Sequence, residues 1–208
     1  AADRKPVTPI RVVSSTHEVK YPSEVLFQLR AKSESHITEV TLFYLLGNQN
    51  VRVYGYPTFT PGKSISADFT LRTGGSSYLP NGVNIEYYYM ILDSSGNTLI
   101  TPSYSVEYRD PVYQWQQLTV GALTVTWHDM DVERVMSVTA DVDERLEPVR
   151  ELLSLDEVSP MKGVIINSRG EARRGFPPVS GAASRGHLYA GFAFDRFDLF
   201  LLAGLDPD

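Results

Sequence analysis

The chain contains no cysteine, which excludes disulfides, thiolate metal sites and cysteine nucleophiles together. Histidine is scarce. His17, His36, His128 and His187 are the four present, and none has a second histidine at the spacing of a His-Glu-x-x-His helix or of any other metal-ligand pair. The residues given are therefore expected to bind no zinc, to need no other cofactor and to supply no catalytic group. Basic runs are equally short: none is longer than Arg173-Arg174, and the net charge is -6, so there is no electrostatic footprint for nucleic acid. The longest run free of tyrosine, glycine and polar residues, Leu199 to Ala203, falls far short of the ~20 residues that span a bilayer. No transmembrane segment is expected, although a longer parent protein can still be anchored.

At 208 residues the chain has room for two domains of about 100 residues each. A composition shift at Asp110-Pro111 sets the expected boundary, dividing 1–110 from 111–208. The start, Ala1-Ala2-Asp3-Arg4-Lys5-Pro6, has the small-then-polar look of a mature N-terminus left by signal-peptide cleavage, which points to an extracytoplasmic location.

In the first part the apolar pattern has period two. Val25, Phe27, Leu29 and Ala31 alternate with more polar neighbours, as do Ile65, Ala67, Phe69 and Leu71, the mark of strands with one buried face. Further strands are expected at Ile10 to Ser14, Val40 to Leu46, Val51 to Gly55, Ile85 to Leu92 and Tyr104 to Tyr108. Turn chemistry separates them at Gly47-Asn48, Pro61-Gly62, Pro80-Asn81-Gly82 and Asp93 to Asn97. Seven or eight short strands without helical periodicity predict an all-β sandwich of immunoglobulin or fibronectin type. Tyr54, Tyr56 and Phe59, with Tyr87, Tyr88 and Tyr89, have the residue types of a sugar-stacking platform, but strand aromatics serve packing first, and core and edge roles are expected. Asp93, Gly96 and Asn97 lack the further acidic positions of a calcium loop and read as a hairpin turn.

The second part changes period. Leu118 to His128 reads as one strand with Leu123, Val125 and Trp127 on one face, and Asp129 or Asp131 as the cap of a helix. In that helix Val132, Val135, Met136, Thr139, Val142 and Leu146 form an apolar stripe. A kink or restart is expected at Pro148, with Val149, Leu152 and Leu153 continuing the buried side. Met161 to Asn167 is expected to lie parallel to the first strand. A polar stretch from Ser168 to Gly186 follows, then a hairpin of His187 to Phe194 and Phe197 to Ala203. His128 among Asp129 and Asp131 has the residue types of a base or metal ligand, yet strand-end and capping roles are expected, since no second ligand lies nearby in sequence. Ser180-Gly181-Ala182-Ala183-Ser184 is not a nucleophile elbow, and Thr73-Gly74-Gly75-Ser76-Ser77 has no following lysine to make a phosphate cradle.

Tyr78 to Gly82, Ile85 to Tyr89, Asp93 to Asn97, Thr101-Pro102 and Tyr113-Gln114-Trp115 together resemble bacterial extracytoplasmic, membrane-anchored proteins with an N-terminal immunoglobulin-like domain followed by a gluzincin-like peptidase domain. The resemblance implies a βαβ-plus-hairpin (α+β) opening of a peptidase-like domain in 111–208, with zinc expected only in a longer parent that carries the missing His-Glu-x-x-His helix. It further implies that Tyr189, Ala190, Gly191, Phe192 and Ala193 form the edge strand that pairs with a peptide substrate by strand addition. Peptide or protein is thus the expected partner of a non-catalytic region. The alternative is a non-enzymatic cell-surface binding or adhesion module. A further expectation concerns Phe197 to Leu205: its consecutive apolar residues want cover on both faces, so self-association or local repacking is expected there.

Overall fold

A computed structural model describes residues 9–140, 142–154, 159–178 and 191–203. The chain is mostly β and divides into two compact units. The first comprises residues up to Ser77 together with Asn84–Tyr108, and the second comprises Tyr78–Val83 together with the residues from Arg109 onward.

The first unit is a curled antiparallel sheet of seven strands: β1 (Arg11–Lys20), β2 (Glu24–Leu46), β3 (Val53–Gly55), β4 (Gly62–Arg72), β5 (Val83–Asp93), β6 (Thr98–Ile100) and β7 (Tyr104–Tyr108). Alternation predicts most of these, but β2 differs. Val25 to Ala31 and Val40 to Leu46 are two ends of one 23-residue strand, with register shifts between Lys32 and Ile37 and between Ile37 and Glu39. Such irregularities let a strand bend while continuing its ladder. The first half of β2 lies between β1 and β4, and the second half between β3 and β5. The bend brings the inner faces together: Phe27 meets Tyr87 at 4.7 Å between ring centroids, and Tyr44 meets Phe69 at 6.2 Å. Gly55 is required where the sheet closes, since a Cβ there would sit 2.3 Å from the Phe69 ring.

The turn from Asp93 to Asn97 is built by one carboxylate. Asp93 Oδ1 accepts the amides of Ser95 and Asn97, both at 3.0 Å, and Oδ2 accepts the Ser33 hydroxyl at 2.8 Å. Gly96 supplies the positive φ of 83°. Burial alone would raise the Asp93 pKa, but hydrogen bonds from Asn97 and Ser33 outweigh it and hold the group below its ordinary 3.8. A depressed carboxylate contributes stability that is present above the unfolded value and is lost as pH falls through the lower folded value. Asp93→Ala is therefore expected to lower the thermal midpoint at neutral pH and to flatten the fall in stability below about pH 4. Thermal melts across pH 2 to 7 check this, and a variant as acid-sensitive as the parent would contradict it.

The second unit holds a five-stranded sheet in the order β11-β12-β10-β9-β8: β8 (Gln116–Val120), β9 (Leu123–Trp127), β10 (Met161–Ile166), β11 (Gly191–Phe194) and β12 (Leu199–Ala203). The expected single strand from Leu118 to His128 is instead the hairpin β8–β9, turning at Gly121 with φ 54°. β10 is parallel to both β9 and β12, and β11 is antiparallel to β12. The parallel placement of the Met161 strand is as expected, and so is the antiparallel pairing of the last two strands. His187 to Ala190, the start of the expected hairpin, lies outside the described residues.

The helices depart further from expectation. The continuous stripe from Val132 to Leu146 is divided between α1 (Val132–Thr139) and α2 (Val142–Leu153). Asp131 caps α1 by accepting the Glu133 amide at 3.0 Å. At its end the buried Thr139 hydroxyl donates to the Val135 carbonyl at 3.0 Å, a back-bond that competes with regular helix continuation. α2 runs through Pro148 rather than restarting there. The carbonyl that proline orphans belongs to Glu144, an exposed residue. Only Val135 and Thr139 of the stripe's described side chains are buried, whereas Met136 and Val149 are about half exposed and Leu152 is 83% exposed. The polar stretch after Ser168 contains a missed helix, α3 (Arg169–Gly175), with Ser168 as its cap.

Trp127, Leu123 and Val125 pack with Val135 on one face of the sheet, joined by Ile165 and Phe200. On the other face Val164, Ile166, Leu199 and Leu201 are buried, and Tyr78–Val83 lies against them. A Cβ on Gly82 would stand 2.6 Å from Val164 Cγ2 and 3.2 Å from Leu199 Cδ1. The Lys162 ammonium donates to the Gly82 carbonyl at 2.8 Å, and the Tyr78 hydroxyl donates to the Gly175 carbonyl at 2.7 Å. β12 thus has Leu199 and Leu201 buried on one face and partial cover on the other, where Phe200 is half-buried and Leu202 is 41% exposed. Gly204 and Leu205, the end of the expected self-association segment, lie outside the described residues.

Candidate functional site

Two features of the second unit carry the residues singled out by sequence. The first is at the C-terminal ends of the parallel strands β9 and β10, where His128 and Asn167 follow directly. His128 is 2% exposed. Its Nε2 lies 2.9 Å from Glu171 Oε1 and its Nδ1 lies 3.0 Å from Asp129 Oδ2. Tyr113 stacks on the imidazole at 3.8 Å and 9°, and Trp115 meets it edge-on at 4.7 Å. Glu171, also 2% exposed, accepts the Asn167 amide through Oε2 at 3.0 Å, while its own amide donates to Ser168 Oγ at 3.1 Å. The Asn167 side-chain amide donates to the His128 carbonyl. Around the rim, Arg174 donates to the Tyr113 hydroxyl at 3.0 Å and lies 3.7 Å from the buried Asp110 carboxylate. The Trp115 indole donates to the Asp110 carbonyl at 2.8 Å.

This cluster locks α3 to the strand ends. Both ring nitrogens lie within hydrogen-bond distance of a carboxylate, Nε2 of Glu171 and Nδ1 of Asp129. Both nitrogens are engaged, a face is covered, and the group is sealed from water, so the imidazole presents nothing to a ligand. The two nitrogens also point to different carboxylates, and no group of three histidine, aspartate or glutamate side chains among the described residues converges on a metal position. Glu171 is the partner that sequence reasoning missed. Its signal was Ser168-x-x-Glu171, the spacing of a helix capping box.

The second feature is β11. Of the five residues that the resemblance assigns to a peptide-binding strand, Tyr189 and Ala190 lie outside the described residues, and Gly191, Phe192 and Ala193 lie in β11 at the edge of the sheet. Among the described strands β11 pairs with β12 alone. It sits close to its partner, since a Cβ on Gly191 would come 2.4 Å from the Leu201 carbonyl oxygen. Its aromatic side chains anchor it on one face: Phe192 packs on Phe176 at 4.9 Å and Phe194 on Tyr78 at 5.8 Å. The main chain is thereby held by packing and by β12, in the manner of a strand edge kept in fixed register.

The described residues include no helix long and apolar enough to cross a membrane. No family model matches the chain, and no curated protein matches it. Solved structures with similarity include a bromine derivative of BhCBM56, 12% identical over 45% of this chain and 88% of that one, at a TM-score of 0.34. A β-1,3-glucan-binding domain of carbohydrate-binding module family 56 is 18% identical over 45% of this chain and 96% of that one, at 0.31. Wild-type OgpA from Akkermansia muciniphila is 12% identical over 51% of this chain and 30% of that one, at 0.36. Likenesses of this extent assign neither a family nor a ligand.

Proposed function

We propose that the chain is a non-catalytic binding module that takes up an extended peptide or protein segment along β11. The observation that supports this most is the placement of β11: a short antiparallel strand at the edge of a mixed sheet, fixed from one face by Phe192 and Phe194. A strand edge holds a peptide by main-chain hydrogen bonds with little regard to sequence, and pockets beside alternate residues add selectivity. The sealed environment of His128 supports the non-catalytic half of the reading. On this account the curled sheet is an immunoglobulin-like sandwich, and the second unit is the opening part of a gluzincin-like domain in a longer exported protein. There the chain presents peptide to a zinc site carried elsewhere. A non-enzymatic cell-surface binding or adhesion module is the alternative.

Strand addition predicts that a dye-labelled pool of unstructured decapeptides binds the protein. The same pool N-methylated at alternate residues, which removes amide donors without altering the protein, is expected to bind at least about tenfold more weakly. Fluorescence anisotropy reads both affinities. Equal binding of the two pools, or none of either, rules the proposal out.

A further inference from the structure

The first unit carries an aromatic surface that the β11 reading does not use. The register of β2 with β3 and β5 sets Tyr54, Phe43 and Tyr88 side by side across three strands, since Phe43 is opposite Tyr54 on one side and Tyr88 on the other. Ring centroids are 6.4 Å apart for Phe43 and Tyr54 and 5.1 Å apart for Phe43 and Tyr88, and Tyr56 extends the row at 5.7 Å from Tyr54. This is the outer face. The inward tyrosines of β5, Tyr87 and Tyr89, are 1% and 0% exposed, whereas Tyr54 is 59% and Tyr56 67% exposed. Packing therefore explains the inner tyrosines and leaves the outer pair unexplained. A contiguous exposed aromatic row is the kind of surface feature that marks a binding face.

The fringe of the row narrows the ligand. The Arg52 guanidinium lies 5.3 Å from the Tyr88 ring centroid, and alternation along β2 and β5 puts the exposed carboxylates of Glu39 and Glu86 on the same outer face. One cation and two anions give no attraction for a polyanion or an anionic lipid surface. Together they offer both donors and acceptors, which complements a neutral ligand whose hydroxyls donate and accept. The electron-rich ring faces favour weakly positive C–H groups. A pyranose has both properties, an apolar C–H face and a rim of hydroxyls. We propose that this outer face binds a neutral saccharide, with sugar rings stacked on Tyr54 and Tyr56 and hydroxyls met by Arg52, Glu39 and Glu86.

The test is affinity electrophoresis of the full chain in gels containing a soluble β-glucan, a xylan or a mannan. At least one polysaccharide is expected to retard the protein, and Tyr54→Ala/Tyr56→Ala to weaken that interaction at least about tenfold. Tyr54→Phe/Tyr56→Phe keeps the stacking surface and is expected to retain most of the binding. Both positions are more than half exposed, so an unchanged urea midpoint serves as the folding control. Retardation by none of the three, or retardation that the alanine pair leaves unchanged, overturns the proposal. A dimer in light scattering that the alanine pair converts to monomer makes a second copy the occupant and overturns it equally. None of these results depends on whether peptides bind β11.

Discussion

Glu171→Ala is expected to destabilise the second unit by about 3 kcal/mol, because it removes the buried partner of both His128 Nε2 and the Asn167 amide, and each buried polar group left unsatisfied costs about 1 to 3 kcal/mol. His128 would keep its covered position under Tyr113 and lose the acceptor at Nε2. The Asn167 amide would lose its acceptor as well. Both tryptophans, Trp115 and Trp127, belong to this unit, so urea unfolding followed by tryptophan fluorescence reports on it selectively. His128→Phe/Glu171→Met is the informative companion. Phenylalanine preserves the stack on Tyr113 and methionine fills the carboxylate's volume, so the double variant is expected to recover the part of the loss that comes from the unpaired His128, while the Asn167 amide stays without its acceptor. A single-variant loss under about 1 kcal/mol would show that the pair is no more than a surface-like contact.

Gly82→Ala should cost a similar amount, about 3 kcal/mol, from two sources acting together. The backbone φ of 96° is a conformation that side-chain-bearing residues adopt only with strain, on the order of 1 to 3 kcal/mol. The new methyl would also press on Val164 Cγ2 and Leu199 Cδ1, side chains already buried against the sheet, and overpacking adds about 1 kcal/mol or more. Gly96→Ala, in the first unit and read there by urea unfolding followed by circular dichroism, is the control. It shares a positive φ of 83° but has nothing within 4 Å of the added carbon, so it should lose the strain component alone. Equal effects at the two positions, or no shift in tryptophan fluorescence unfolding for Gly82→Ala, would contradict the placement of Tyr78–Val83 on the sheet.

Local patterns in the sequence are reliable where one physical cause dominates. Alternation at Val25 to Ala31 and Ile85 to Leu92 marks the inner face of the curled sheet, and Asp131 and Asp93 do the capping and turn work their chemistry implies. Features decided by distant contacts are not legible in that way. The bend that makes β2 one strand lies among polar residues, Ser33 to His36, which read as a gap between strands. Pro80 to Gly82 reads as a turn, and nothing local says that its glycine is held against Val164 and Leu199. The stripe from Val132 to Leu146 has the spacing of a buried helix face, yet burial depends on what lies opposite, and Met136, Val149 and Leu152 face water. Tyr54 and Tyr56 show the converse, since strand propensity cannot say which face of a sheet is outermost. Glu171 was legible through its capping-box spacing, but its pairing with His128 spans 43 positions and belongs to the tertiary fold.

Amide NMR of the isotopically labelled chain, titrated with the unstructured decapeptide pool, tests the central claim most directly. The account predicts that the largest shifts fall on Gly191 to Phe194, with smaller ones on the paired residues Leu199 to Leu202, and that the peptides remain uncleaved. Largest shifts away from β11, or hydrolysis of the peptides by the chain alone, would contradict a non-catalytic module that binds through this edge.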